Sequence, residues 1–388
     1  MRSCLAGEAW LWLAVGVACW GQPRPPYIGT RAQPLEYPGP GREAPEPRDL
    51  GEVRIGYFGP PEAGHPEGGT LWQGATLALE EANREGGYKG LPFRLVPAWA
   101  ENPWTAGAGV LVRLLYQERV WALIGSIDGA ATHLAEQVAL KARVTLINPA
   151  ASDRTIHGAS VPWMFSCVPG DHLAAPVLVG LLGGRPFVLV SATDHDSRAF
   201  VAELKTAPAS HIEFQSGTPD VSALARRVAE AAPPAVVVVA GARDSARVVA
   251  ALRRSGCAAP VFCGPSAGRR TFREEAGPAA EGVLFPLLAE TAGEAARFGA
   301  PSDYAAAQAY DAVRLLVAAI RKAGLNRALI RDAVRELAPW PGVSGVIQWD
   351  ALGQNARPVR LGTIRGGRVV PAARQLSLGA MPRAFILR

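Results

Sequence analysis

No histidine follows position 211 in this 388-residue chain, and lysine occurs only at positions 89, 141, 205 and 322. The first absence bears on a motif that is otherwise complete. Gly264-Pro265-Ser266-Ala267-Gly268 matches the G-x-S-x-G elbow of an α/β-hydrolase and lies between a β-rich run and a helical one, but that fold takes its histidine after the serine in chain order. A serine hydrolase at Ser266 is therefore disfavoured. The scarcity of lysine excludes a phosphate loop, because none of the four stands in a G-x-x-x-x-G-K-[ST] setting. Gly107-Ala108-Gly109 lacks the third glycine of a dinucleotide fingerprint and has no strand directly before it. Clustered base is lacking too: the formal net charge is +6, yet basic residues gather only in pairs such as Arg226-Arg227 and Arg253-Arg254. A nucleic-acid surface needs them on one face, so no nucleic-acid partner is expected. The cysteines at 167, 257 and 263 match no zinc spacing. Asp194-His195-Asp196 reads as a polar loop capping the helix from Ser197, since three adjacent residues rarely converge on one ion. No cofactor and no metal are expected.

Long apolar runs are absent as well. The run Ala9 to Ala18 behind Arg2 is too short to span a bilayer and reads as a signal peptide over 1–18. It ends Gly16-Val17-Ala18-Cys19, small residues before a cysteine, which makes Cys19 a lipidation candidate; Gly16 stands where leucine is usual, so ordinary cleavage stays open. The stretch from Gln22 to Pro47 is rich in proline, and 19–51 reads as an extended linker. The expected location is periplasmic or otherwise extracytoplasmic. In such an oxidising compartment Cys257 and Cys263 are close enough in sequence to pair.

What is present is a rhythm. The chain is 49% hydrophobic, enough for a large core, and from Val53 short β-rich runs alternate with longer amphipathic segments, the signature of βαβ units and parallel sheets. Strands are predicted at 53–58, 93–97, 121–125 and 144–147, with helices over 71–84, 106–118 and 130–142. A second series follows Pro169, with strands at 187–190, 211–215, 235–240 and 261–263 and helices beginning at Asp171, Ser197, Val221 and Asp244. Two helices, 304–321 and 327–337, then come without a strand between them, ahead of strands at 345–350 and 359–370. These closing elements are too few for a third domain and are expected to complete two lobes: 52–168 with 287–338, and 169–286 with 339–388. Such a chain crosses between lobes more than once, which makes a hinge and a closing cleft.

Ligands of open parallel sheets gather at the carboxyl ends of strands. The loops there are Ser126 to Ala130, Pro149 to Ser152, Asp194 to Asp196, Ala242 to Asp244 and Gly264 to Ser266. Trp72 and Trp104 are expected to offer aromatic faces beside the cleft.

Eight segments in order resemble the type I periplasmic binding proteins of the leucine/isoleucine/valine-binding class, which serve ABC importers. They are VRIGYFGP, GATLALEEANREGGYKG, ALIGSIDGAAT with VTLINPAAS, VPWMFSCVPGD, PAVVVVAGARDSARVVAALRRSG, AAEGVLFP, YAAAQAYDAVRLLVAAI and GVSGVIQWD. The resemblance implies an α/β fold of two Rossmann-like doubly wound lobes joined by three crossovers, with ligand in the cleft. It implies delivery of the ligand to an ABC permease; a monomer is expected, and with the catalytic motifs failing, no enzyme. A ligand sensor of the same fold is the alternative. Carried over, the family's carboxylate-binding loops resemble Asp128, Gly129 and Ala130, and Ala151 with Ser152. A second-lobe aromatic falls near Asp196, the next near Ala242 or Arg243, and the acid that meets an amino acid's ammonium falls near Ser266, where no acid stands. A buried ammonium without a carboxylate costs several kcal/mol, on the order of the cost of any unpaired buried charge. The expectation is a small organic acid held by Arg243 and the loop N–H groups, not a standard branched-chain amino acid.

Overall fold

The computed structural model describes residues 34–290, 298 and 302–372. The signal-peptide segment and Cys19 lie outside the described residues. β1 (Val53–Phe58) is buried along nearly its whole length, as a central parallel strand covered on both faces must be. α1 (Gly69–Arg84) follows, then β2 (Phe93–Ala98). A helical stretch from Pro103 to Gln117 has one α-turn, α2 (Ala108–Val112), between two π-helical turns. It begins three residues before the predicted helix because Asn102 caps it through Trp104 N–H at 3.0 Å. β3 (Ala122–Gly125), α3 (Gly129–Ala142), β4 (Thr145–Asn148) and the short β5 (Met164–Ser166) complete a five-stranded parallel sheet of order β2-β1-β3-β4-β5.

The second series repeats the winding. α4 (Asp171–Leu182), β6 (Val188–Ala192), α5 (His195–Leu204), β7 (Ser210–Phe214), α6 (Ser222–Glu230), β8 (Val236–Val239), α7 (Ala242–Arg254) and β9 (Val261–Cys263) lead to α8 (Arg270–Ala276) and β10 (Leu284–Leu287). Then come α9 (Tyr304–Ala323), α10 (Arg327–Glu336), β11 (Trp340–Gly342), β12 (Gly345–Ile347), β13 (Arg360–Arg365) and β14 (Arg368–Pro371). The second sheet has the order β14-β13-β10-β9-β8-β6-β7, with β13 and β14 antiparallel at its edge. Both sheets therefore reverse their order beside their first strand, and each opens a crevice at its carboxyl edge there.

α9 packs along α1 and returns the chain to the first lobe. Gly74 makes this contact possible: a Cβ there would collide with the backbone carbonyl of Ala306. Gly74→Val is expected to lower stability by about 1–3 kcal/mol, as overpacking does, read as a lower urea midpoint at constant slope.

The chain crosses between the lobes three times: after β5, between β10 and α9, and between β12 and β13. The crossings are tied side by side by buried polar groups. Asn355 Nδ2 donates to Cys167 O at 2.6 Å, and Arg357 donates to Leu288 O and to Ser344 O.

Two boundaries differ from the sequence reading. β11 and β12 pair with each other, and Trp349 just after them packs on Phe165 of β5, ring centres 5.2 Å apart, so 340–349 lie against the first lobe. Residues 34–51, expected as tether, are strapped to that lobe instead. Tyr37 packs on Trp163, Arg42 pairs with Asp332, and Asn326 Nδ2 donates to Gly41 O at 2.8 Å. Cys167, Cys257 and Cys263 are buried free thiols, so the pairing of Cys257 with Cys263 that the sequence leaves open is not formed. Among the described residues no helix is long and apolar enough to cross a membrane.

Candidate ligand-binding site

The lobes are closed on one another around a cavity of about 450 Å³ at the carboxyl ends of both sheets. Of the residues singled out from sequence, Asp128, Ala130, Ala151, Ser152, Asp196, Arg243 and Ser266 line it. Gly129 sits directly behind, with its N–H on Asp196. The two tryptophans do not line it. Trp72 packs edge-on against Tyr57 within the first lobe, centroids 5.1 Å apart. Trp104 is 66% exposed: β2 is the edge strand of its sheet, so the loop after it is carried away from the cleft.

The donors expected to hold a ligand's carboxylate are engaged by the protein itself. Asn148 Oδ1 accepts from the N–H groups of Ala150 and Ala151 at 3.1 and 2.9 Å. At the N-terminus of α3, Asp128 caps Ala131 N–H at 2.7 Å, and Gly129 N–H donates to both oxygens of Asp196 at 2.8 and 3.1 Å. Asp196 belongs to the opposite lobe. Glu67, in the loop after β1, makes the reverse approach toward the backbone of Arg243 at the start of α7, and burial pushes its carboxyl up. Each lobe thus places a carboxylate on a helix N-terminus of the other, where the free N–H groups favour an anion.

Arg243 corrects a further expectation. Its guanidinium is paired with Glu275 and is not a free anchor for a ligand's carboxylate. Arg269, the other arginine of the wall, is 5% exposed and pairs with Asp303 at 3.1 Å. Against these stand six lining carboxylates: Glu67, Asp128, Asp171, Asp194, Asp196 and Asp244. Asp194 caps α5 through Ser197 N–H at 2.9 Å, and Asp244 accepts from Ser216 Oγ at 2.7 Å and Gly217 N–H at 2.8 Å. Burial pushes Asp128 and Asp196 up, Asp196 further because Asp128 is beside it.

Asp171, which sequence reasoning did not single out, is the distinctive member. It opens α4 at the first crossover, and its N–H donates to Ser152 O at 2.7 Å. It is 2% exposed, and its Oδ1 has no hydrogen-bond partner. Burial pushes its carboxyl up to about 7, although a hydrogen bond with the Ser152 side chain opposes this.

Ser266 Oγ donates to Ala240 O at 2.6 Å and lies 3.5 Å from Ser245 Oγ. Its hydroxyl is used by the backbone, with no histidine among these partners.

The architecture has clear relatives. A family model described as periplasmic binding protein matches residues 52–368. The chain belongs to the periplasmic binding protein family. An amino acid binding protein of Pseudomonas aeruginosa is 26% identical over 259 residues, 63% of this chain; the chain spans 64% of that relative's length. Two solved structures share the fold at 22% identity and a TM-score of 0.73, each covering 83% of this chain. One is the branched-chain amino acid transporter substrate binding protein LivJ of Streptococcus pneumoniae in complex with isoleucine, matched over 100% of its length. The other is the leucine binding protein LivK of Thermotoga maritima, matched over 98%. This periplasmic binding protein therefore has the type I fold of the leucine/isoleucine/valine class, and the two doubly wound lobes expected from its sequence are those of that fold.

Proposed function

We propose that this periplasmic binding protein captures a small organic cation, an amine, amidine or guanidine, between its lobes and delivers it to an ABC permease. The protein performs no chemistry on the ligand. The observation that carries this reading is the buried Asp171 Oδ1, unpartnered in a cavity whose wall holds six carboxylates and whose two arginines already have acidic partners. A ligand carboxylate would have to displace Asp196 or Glu67 from a helix N-terminus and then sit among the remaining acids. A cation meets an acceptor that nothing else satisfies, and Phe200, Ala150 and Val239 supply apolar wall for its hydrocarbon part. The carboxylate-bearing ligand expected from sequence fits this wall less well.

Closure follows from the same contacts. Asp196 and Glu67 reach across the cleft, so the lobes carry carboxylates that hold the closed state and a cation between them adds to it. The test is a thermal-shift panel of matched organic cations and anions. A ligand at 100 times its dissociation constant adds roughly 2.7 kcal/mol, so cations are expected to raise the melting temperature. A panel in which only carboxylates do so overturns the reading.

A further inference from the structure

We propose that His133, Asp153 and His195 form a transition-metal site that bridges the two lobes. His133 stands on α3, and Asp153 follows β4 in the same lobe; His195 opens α5 in the other. Both imidazoles turn Nε2 toward one oxygen, Asp153 Oδ2, at 3.2 Å from His133 and 2.6 Å from His195. The three ligating atoms lie within 4.8 Å of one another. Small side-chain rotations bring them onto one ion at the roughly 2.0–2.2 Å typical of zinc bound by nitrogen and carboxylate oxygen.

The donor set selects the ion. Two imidazoles and one carboxylate suit zinc, copper or nickel, whereas calcium and magnesium take oxygen shells. Three protein ligands leave a position open, and the half-exposed His195 puts that position at the rim, where solvent reaches it.

The surroundings are those of a metal site as well. Asp153 is buried and is fixed through its Oδ1 by Thr155 N–H at 2.7 Å. Behind His133, Glu136 Oε2 lies 3.8 Å from Nδ1. Glu136 is 4% exposed, and its Oε1 has no hydrogen-bond partner. A carboxylate behind a ligating imidazole sets the tautomer and raises its basicity, which gives this otherwise unexplained buried acid a task. Thr155 Oγ1, 2.9 Å from His133 Nε2 and 2.7 Å from Asp153 Oδ2, makes the two contacts the ion would replace.

The site is complete only when the lobes are closed, because His195 comes from the opposite side. Metal and solute binding are then linked, each strengthening the other by the same factor. The test uses tag-free, chelator-washed full-length protein equilibrated with zinc chloride, with bound metal counted and the radius of gyration measured. About one zinc per chain is expected, with a smaller radius in zinc than in chelator. His195→Ala, a substitution at an exposed side chain, is expected to weaken zinc at least tenfold and to remove the compaction. Glu136→Gln is expected to weaken it about 10- to 100-fold. His211→Ala, at an imidazole that hydrogen-bonds Ser191 away from this cluster, is the control and leaves zinc unchanged. Zinc bound equally by wild type and His195→Ala, or by neither, overturns the proposal and leaves a hydrogen-bonded His-Asp-His contact without metal.

Discussion

Asp171→Asn is expected to cripple capture of an organic cation, lowering affinity about 100- to 4000-fold, because removing one member of a buried charge pair costs roughly 3–5 kcal/mol and each 1.4 kcal/mol is tenfold. The amide keeps the size of the side chain and can still meet Ser152, so the loss reports charge. The pH dependence gives a second reading of the same group. Burial pushes the Asp171 carboxyl up to about 7; it is neutral well below that and charged above it. Cation affinity in the wild type therefore rises as pH increases through about 7 and levels off beyond, while the Asn variant shows no such rise, as isothermal titration between pH 5.5 and 8.5 would record. Stability moves the other way. The folded carboxyl binds its proton more tightly than the unfolded one, so between about 4 and 7 the folded state holds more protons and its stability falls as pH increases. At pH 8 the empty Asn variant is expected to be more stable than wild type by about 1–2 kcal/mol. Weaker binding with a more stable fold separates a ligand-binding acid from a structural one.

The second large effect is expected at Asp303. Its carboxylate receives Arg269 Nε at 3.1 Å, Arg270 N–H at 2.9 Å and, at the start of α9, Ala305 N–H at 2.9 Å and Ala306 N–H at 3.3 Å. Burial opposes its charge, but Arg269 and these donors hold it below the usual carboxylate range. Asp303→Ala strands a guanidinium that is 5% exposed and uncaps the helix. A loss of roughly 3–5 kcal/mol from the first effect and about 1 kcal/mol from the second is expected in urea unfolding. The variant should also open. Arg269 and Thr271 of the second lobe donate to the carbonyls of Glu67 and Pro66 in the first, and Arg269 is oriented by Asp303. A larger radius of gyration in small-angle scattering, together with weaker solute binding, is the result that fits; destabilisation with no change in radius would confine Asp303 to a helix-capping role.

Legibility in the sequence followed the reach of the interactions. Val236–Val239 read as a strand because a parallel strand covered on both faces is apolar without interruption. The αα pair after Tyr304 and the turn at Gly366-Gly367 were equally plain. β5, β10 and β11 carry no local strand signal: β5 falls outside the βαβ rhythm, and β10 and β11 each hold a proline, Pro286 and Pro341. The π-helical turns around α2 carry no sequence period that separates them from an ordinary helix.

At the site, the loops were legible because strand ends are local features; what crosses the cleft was not. Asp196 stands at a strand end where a ligand contact is expected, yet its carboxylate sits on α3, a partner 67 residues away in sequence. Glu67 precedes a helix like any surface acid, and only closure brings it to α7. Within its tripeptide His195 looks like part of a cap. Asp194 does cap the helix, while His195 meets Asp153 and His133, neither of which stood out in the sequence. The missing acid near Ser266 also misled, since the cavity draws its negative charge from other loops.

The sign of the ligand's charge is the centre of the account, and one measurement tests it directly: native mass spectrometry of the protein incubated with an equimolar mixture of size-matched organic cations and carboxylates. Adducts formed by amines or guanidines, and lost in Asp171→Asn, are the predicted result. Adducts formed by carboxylates and retained in that variant would contradict it.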